Sequence, residues 1–418
     1  MNSSKIIRVC SNLIDASFIL IPFSASFSSA LVNLFIGLAI FAFLLKKALL
    51  RERIFKEKNP ILIPFFFIIL ISFLSFENSV SLRASVQGIV KLMKYLALVV
   101  LLVEELRDIT HAKRIVMGIL LGLLLASCDG LYQLYTGFDF IRHRAVTSMV
   151  NDPELPSTIQ INVPRLTAAF PHTNMFGIYL GLFLPLSISA TLYDYQKMRK
   201  WLGYVASTFA LFCLLCTFSR GSFAGFLAAL AFIALMKKDK VLLGALILMV
   251  VMIPFVLPKD ITVWARTKPT VWEFLLSTKR IGNWRNALNM AKHHPFLGVG
   301  VNTYTLNFEK YKIRDSSRFV SDTGWSHNSY LQMMAEIGPF GLLSFFWLLF
   351  YLFRSGLRSY KQLEDNFLKV ATLGILAGLI AFLVNGITET NLYYTKVASL
   401  FWFQVGFLLA MPKWIRRR

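Results

Sequence analysis

A succession of apolar stretches, most of them close to 20 residues long, runs through this whole sequence and limits what it can fold into. Because lipid offers the backbone no hydrogen-bonding partners, each crossing of a bilayer is expected to be a helix of about 20 residues. We therefore predict an all-α integral membrane protein with about 12 transmembrane helices. The predicted spans lie at about 9–23, 29–45, 60–76, 87–104, 114–135, 174–194, 201–218, 221–236, 240–257, 328–353, 367–386 and 395–412.

The charge content argues against a soluble protein and against a nucleic-acid partner. Only 16% of the residues are charged, against roughly a quarter in an average soluble domain. Lys and Arg (44) outnumber Asp and Glu (22), which gives a net charge of +22. The basic residues stand in short clusters between apolar stretches, so membrane lipids are the expected partners and a nucleic-acid surface is not.

The placement of these clusters predicts the orientation, because cytoplasmic loops of membrane proteins carry the excess of Lys and Arg. Counting spans from a cytoplasmic N-terminus places the main clusters inside and both termini in the cytoplasm. The clusters lie at 46–58, 107–114, 197–200, 237–240, 354–369 and 413–418.

Two long segments are predicted on the outer side of one membrane domain. Residues 1–257 would form helices 1 to 9 and include an outer loop at about 137–172. Residues 258–327 would form a large outer loop of short amphipathic helices, and residues 328–418 the last three spans.

Several arginines on the predicted outer face are exceptions to this charge rule, and four of them are our candidates for binding a ligand. Arg83 lies in a short turn, Arg220 lies between two apolar helices, and Arg165 and Arg280 lie in the long loops. An arginine at such a place is costly unless it meets an anion or a water-filled cavity, although snorkelling to lipid headgroups is an alternative. The guanidinium fork matches phosphate oxygens, so we predict that these residues bind a diphosphate headgroup.

Three motifs on the predicted outer face indicate a protein family, and with it the kind of ligand. They are Arg165 to Asn174, then Phe218-Ser219-Arg220-Gly221, and a longer stretch from Arg280 through His294-Pro295 and Gly298-Val299-Gly300 to His327-Asn328 and Glu336-Ile337-Gly338. In this order, and on both sides of a large outer loop, they resemble the O-antigen ligase and polymerase superfamily of bacterial inner-membrane glycosyltransferases.

The resemblance implies glycan transfer with metal-independent, inverting chemistry in a GT-C-like helical membrane fold, as part of lipopolysaccharide biosynthesis. The donor would be a glycan on undecaprenyl diphosphate, and the acceptor of a ligase would be a sugar of lipid A-core. The acceptor would be another lipid-linked glycan in a polymerase and a protein hydroxyl in a protein O-oligosaccharyltransferase. The site would face the periplasm of a multi-pass protein in the bacterial inner membrane.

His327 is the predicted catalytic residue, since an imidazole can take the proton of an acceptor hydroxyl. Binding of the diphosphate by an imidazolium and a plain hydrogen bond to backbone are its alternatives. Asn174 and Asn328 are predicted sugar contacts, with helix capping as the alternative. Glu336 is predicted to be a buried, hydrogen-bonded carboxylate, and Gly338-Pro339 to kink its helix.

No metal and no cofactor are predicted. The first outer turn, at 24–29, has no carboxylate, and Pro153 between Asp152 and Glu154 makes that pair resemble a turn. A glycine-rich nucleotide loop is missing from the sequence, which argues against a nucleotide-sugar donor. A transporter of the lipid-linked glycan is a less favoured alternative, because transporters usually show repeated halves with charged residues at the midplane.

Overall fold

The computed structural model describes residues 3–57, 59–106, 108–146, 165–193, 196–256, 278–313 and 324–416, and these residues are almost wholly helical. The helices before the large loop are α1 Ser3–Ser24, α2 Ser29–Leu50, α3 Leu62–Leu74, α4 Leu82–Glu105, α5 Ile109–Thr136, α6 Thr173–Tyr193, α7 Lys197–Cys216, α8 Arg220–Lys237 and α9 Lys240–Val256. The later ones are α10 Thr278–His293, α11 Tyr304–Tyr311, α12 Ser329–Gln362, α13 Asn366–Asn385, α14 Thr395–Ala410 and α15 Lys413–Arg416.

A helix occupies each of the twelve predicted spans, and the predicted all-α membrane fold is confirmed. Nine of the described helices are long and apolar enough to cross a membrane. Two further spans fall on shorter apolar helices, Leu62–Asn78 and Lys240–Val251. The remaining span falls on α7, which has 20 residues but begins with a basic turn that lowers its mean hydropathy.

The helix pair α6 and α13 forms the centre of the bundle. Both helices are buried along almost their whole length, and α13 also packs against α8. The approach of α8 is close because Gly225 faces the carbonyl oxygen of Ala381, where a side chain would overlap it. Small residues at such contacts let helix backbones approach each other within a membrane.

The predicted kink in α12 is confirmed. Gly338 has φ 69° and ψ −179°, and Pro339 follows it. Pro339 has no N–H group, so the carbonyl of Ala335 loses its helical donor. The segment before α11 supplies the missing donors, since Val299 N–H donates to Ala335 O at 2.8 Å and Gly300 N–H donates to Glu336 O at 3.0 Å.

Glu336 holds the same segment with its side chain and is buried, as predicted. Its carboxylate accepts hydrogen bonds from the backbone N–H groups of Asn302 (2.8 Å) and Tyr304 (3.2 Å). The carboxylate therefore binds the start of α11 to α12.

We predict that Gly338→Ala destabilises the protein. A side chain at this φ is strained by about 1–3 kcal/mol, and its Cβ would also overlap the carbonyl of Phe296. Thermal unfolding of the purified protein in detergent should show a clear fall in the midpoint. The matched control is Gly244→Ala on α9, where an added Cβ meets nothing within 4 Å. Equal midpoints for Gly338→Ala and the wild type would contradict this account of the kink.

Candidate active site

A buried carboxylate, Glu389, gathers polar side chains from distant parts of the chain. It lies in the turn between α13 and α14, and its side chain is 2% exposed. One oxygen, Oε1, accepts from Arg280 Nη2 and from Asn174 Nδ2, each at 2.6 Å. The other oxygen, Oε2, lies 3.4 Å from His327 Nδ1. We call these four residues the Glu389 cluster.

Hydrogen bonds between the start of α12 and this turn fix the position of Glu389. Ser329 N–H donates to Gly386 O at 2.8 Å, and the Ser329 hydroxyl donates to Glu389 O at 3.0 Å. Asn391 Nδ2 donates to Phe382 O at 2.6 Å and thereby closes the turn on the end of α13. The backbone of Glu389 is thus held to the helix that His327 precedes.

His327 has an unusual backbone conformation that sets the direction of its ring. Its φ is 51°, in the left-handed region that non-glycine residues rarely adopt. Trp284 Nε1 donates to His327 O at 3.4 Å, and the ring remains 21% exposed. Because a carboxylate only accepts, Nδ1 is expected to carry the proton beside Glu389, which leaves the basic lone pair on Nε2.

Arg165 extends the Glu389 cluster through Asn174. Its Nη2 donates to Asn174 Oδ1 at 3.4 Å, and its Nε donates to Thr217 O at 3.0 Å. Burial first, and then the nearby charge of Arg280, lowers the pKa of Arg165, while Glu389 acts in the opposite direction. Two guanidinium groups therefore share one carboxylate, and the site keeps an excess of positive charge.

Arg220 lies at the same end of the bundle, as the first residue of α8. The next residue, Gly221, has no room for a side chain because the Thr388 hydroxyl lies against it. Asn385 Nδ2 also donates to Ser222 Oγ at 3.1 Å. The first turn of α8 therefore packs against the turn that carries Glu389.

Two predicted site residues, Arg83 and Asn328, have surroundings other than those of the Glu389 cluster. Arg83 is exposed in the first turn of α4, and no hydrogen bond or ion pair joins it to the Glu389 cluster. That turn packs instead against the segment before α11, where Asn302 Nδ2 donates to Ala84 O at 3.0 Å. Asn328 caps α12, since its side chain accepts from Tyr330 N–H and Leu331 N–H at 3.0 Å each. For Asn328 the alternative of helix capping is therefore what the structure shows.

The residue that sequence reasoning missed is Glu389 itself. The sequence signal for it is a single acid in a short connection between two apolar spans. A charged side chain there needs a partner, as Arg220 does in its own turn. The positive-inside rule singles out only basic residues in such connections. Within the described ranges no three His, Cys, Asp or Glu side chains are grouped to hold a metal ion. Asp152 and Glu154 lie outside the described residues.

The charge of Glu389 depends on its cationic neighbours. Burial acts to raise its pKa, but the charge of Arg280 and then the hydrogen bond and charge of His327 together lower it below the ordinary value of 4.5. A carboxylate with a depressed pKa stabilises the fold fully above its unfolded pKa, and this stabilisation is lost as the pH falls through the folded pKa.

We predict that Glu389→Gln lowers the free energy of unfolding by on the order of 3 kcal/mol at pH 7, because breaking a buried ion pair leaves its cations uncompensated. The difference from the wild type should shrink as the pH falls below 4.5. Thermal unfolding across pH measures this, and Glu309→Gln, an 80% exposed carboxylate on α11, is the control that should change little. A destabilisation that does not vary with pH would exclude a charge effect.

Two similarities to known proteins bear on the family of this chain. Residues 205–346 match the family described as O-antigen ligase. The teichuronic acid biosynthesis protein TuaE of Bacillus subtilis (strain 168) is 23% identical over 347 residues, which cover 77% of this chain and 64% of that relative. The chain thus spans less than two thirds of the relative's length. The matched region includes Arg220, Arg280 and His327, whereas Arg165 and Glu389 lie outside it. Together these similarities confirm the resemblance to the O-antigen ligase and polymerase superfamily that the motifs predicted.

Proposed function

We propose that this protein transfers a glycan from undecaprenyl diphosphate to an acceptor hydroxyl at the Glu389 cluster. The observation that supports the proposal is the combination of two guanidinium groups and an imidazole around one buried carboxylate. This combination offers positive charge for a diphosphate and a base for a hydroxyl. Both groups are required when a glycosidic bond to a phosphate is exchanged for a bond to another sugar.

The chemistry follows from how charge moves in such a transfer. The acceptor oxygen attacks the anomeric carbon, and the bond from that carbon to the diphosphate oxygen breaks with inversion. Negative charge builds on the leaving diphosphate, where Arg280 and Arg165 would stabilise it more in the transition state than in the bound donor. Arg220 would be a further diphosphate contact.

His327 would receive the proton of the acceptor hydroxyl on Nε2 as the new bond forms. Glu389 would orient the ring through Nδ1 and stabilise the imidazolium produced, the role that a carboxylate has beside a catalytic histidine. Binding of the diphosphate by an imidazolium is the alternative role. The pH dependence separates the two, because a base needs the neutral ring and a phosphate contact needs the charged one.

The acceptor divides the proposal into two versions. As an O-antigen ligase, the protein would use a sugar of lipid A-core, and the family that matches residues 205–346 carries that description. As a polymerase, it would use another lipid-linked glycan. The polymerase is favoured by the relative's name, which refers to teichuronic acid biosynthesis and not to lipopolysaccharide.

The orientation is part of the proposal. The site would face the periplasm of a bacterial inner-membrane protein whose termini are both cytoplasmic. The positive-inside rule supports this, because lysines gather at the end of α4 that is remote from the site. Lys46 pairs there with Glu105 and Lys47 with Glu104. Lys413 also donates to Glu104 O.

We expect the purified protein in detergent to form a new glycosidic product from an undecaprenyl-diphosphate glycan. Incubation with lipid A-core and, separately, with the donor alone distinguishes the versions, since a ligase needs the first acceptor and a polymerase lengthens the donor. Chelators should leave the rate unchanged. Movement of donor across vesicles without any new bond would instead indicate a transporter.

We predict that His327→Ala slows transfer by about 10²–10⁴-fold, the usual contribution of a general base, while binding of undecaprenyl diphosphate is retained. Arg220→Lys, which keeps the charge but loses the fork, should impair transfer severely. Arg285→Lys is the matched control, because Arg285 is exposed on α10 away from Glu389. Full transfer by the His327 variant would remove the base from this mechanism.

A further inference from the structure

A buried lysine just after the turn that carries Glu389 has no polar partner among the described residues. Lys396 lies in the first turn of α14, seven residues after Glu389, and is 7% exposed. Its Nζ is fully buried and has no hydrogen bond to any described residue. The contact it does make is with the ring of Phe170, whose centroid lies 3.7 Å from Nζ.

This aromatic contact does not compensate for the burial of the charge. An ammonium taken out of water loses more hydration free energy than a cation–π contact returns. Arg142 is also near enough to act on Lys396, and it adds repulsion. The surroundings of Lys396 therefore favour the arrival of a negative charge.

Two other deeply buried lysines, Lys46 and Lys47, show what a structural lysine looks like in this protein. Lys46 Nζ lies 2.5 Å from Glu105 Oε2, and Lys47 Nζ lies 3.1 Å from Glu52 and 3.3 Å from Glu104. Both are compensated by carboxylates at the end of the bundle remote from the site. Lys396 is equally buried, and no carboxylate of the described residues pairs with it.

Two further features favour an anion at Lys396. The N-cap residue of α14, Tyr394, makes no side-chain capping bond, so the positive end of the helix dipole is not satisfied there by a side chain. Burial and then the charge of Glu389 raise the pKa of Tyr394 to about 12, which indicates how close this helix end is to the cluster. Phe170 lies in the same segment as Arg165 and follows it by five residues.

We propose that Lys396 binds a second anionic group of the donor, beyond the one held by Arg280 and Arg165. This inference rests on the proposed function. The group has phosphate or carboxylate oxygens, and either the second phosphate of the lipid diphosphate or an acidic sugar next to it supplies them. Lys396 is then a specificity-determining contact, and its burial in the free protein is a cost that the bound donor removes.

Lys396→Met tests this, because methionine keeps the length and the apolar contact with Phe170 but removes the charge. We expect undecaprenyl diphosphate to bind about tenfold to a hundredfold more weakly, the range for a hydrogen bond to a charged group, and undecaprenyl monophosphate to bind almost as before. At the same time the ligand-free variant should melt at a higher temperature, since an uncompensated charge is gone. Lys396→Arg should keep much of the binding.

The control is Lys46→Met, which removes a buried lysine that does have a carboxylate partner. It should leave binding unchanged and lower the melting temperature, opposite to Lys396→Met. A purely structural role for Lys396 predicts lower stability and equal affinity for both lipids, and that result would overturn the proposal.

Donors with different sugars distinguish the two possible sources of the anion, the second phosphate and an acidic sugar. Suppose that undecaprenyl diphosphate and a donor with a neutral sugar bind Lys396→Met and the wild type equally well, whereas a donor with a uronic acid binds Lys396→Met more weakly than the wild type. A sugar carboxylate is then the ligand of Lys396. If no donor distinguishes Lys396→Met from the wild type while Arg280→Gln abolishes binding, Lys396 has no such role and the proposed function stands. Failure of the wild type to bind any of these lipids would count against the proposed function itself.

Discussion

The interaction on which the site depends is the burial of one carboxylate among cations from separate parts of the chain. Glu389 has almost no access to water, so its charge is tolerated only because Arg280, Asn174 and His327 approach it. Those residues come from α10, the start of α6 and the residue before the N-cap of α12. The pairing therefore fixes the relative positions of these helices where the chemistry is proposed to occur.

A second carboxylate, Glu336, complements the first along α12. Glu389 belongs to the turn between α13 and α14 and contacts the N-terminal end of α12. Glu336 is a residue of α12 itself and lies just before the kink at Gly338-Pro339. The first two turns of α12 are thus held at one end by the α13–α14 turn and at the other by the segment that leads into α11. We infer that this short rigid piece is what keeps the His327 ring in one direction, because a loop without these contacts would not impose a left-handed φ on a histidine.

The sequence was informative wherever a local rule applied. Hydropathy located the helices, and Pro339 predicted the kink. The cost of isolated arginines singled out Arg165, Arg220 and Arg280, but also Arg83, which makes no hydrogen bond or ion pair with the Glu389 cluster. The sequence was not informative about which turns meet. The turns of Arg83 and Arg220 look alike in sequence, yet α4 packs against Asn302 whereas α8 packs against Thr388. Glu389 was missed for the same reason, since only the tertiary contact shows that this acid is the partner of the arginines.

The two ends of the bundle handle buried charge in opposite ways. At the end that carries Glu104 and Glu105, buried lysines are matched by carboxylates, and the ion pairs hold helices together. At the other end Arg165 and Arg280 lie near the charge of Glu389, while Lys396 has no carboxylate partner among the described residues. An arrangement selected for stability alone would add acids there, as it does at the opposite end. The excess of positive charge among the described residues at this end is consistent with a ligand that brings negative charge, and the diphosphate of the proposed donor would meet that requirement.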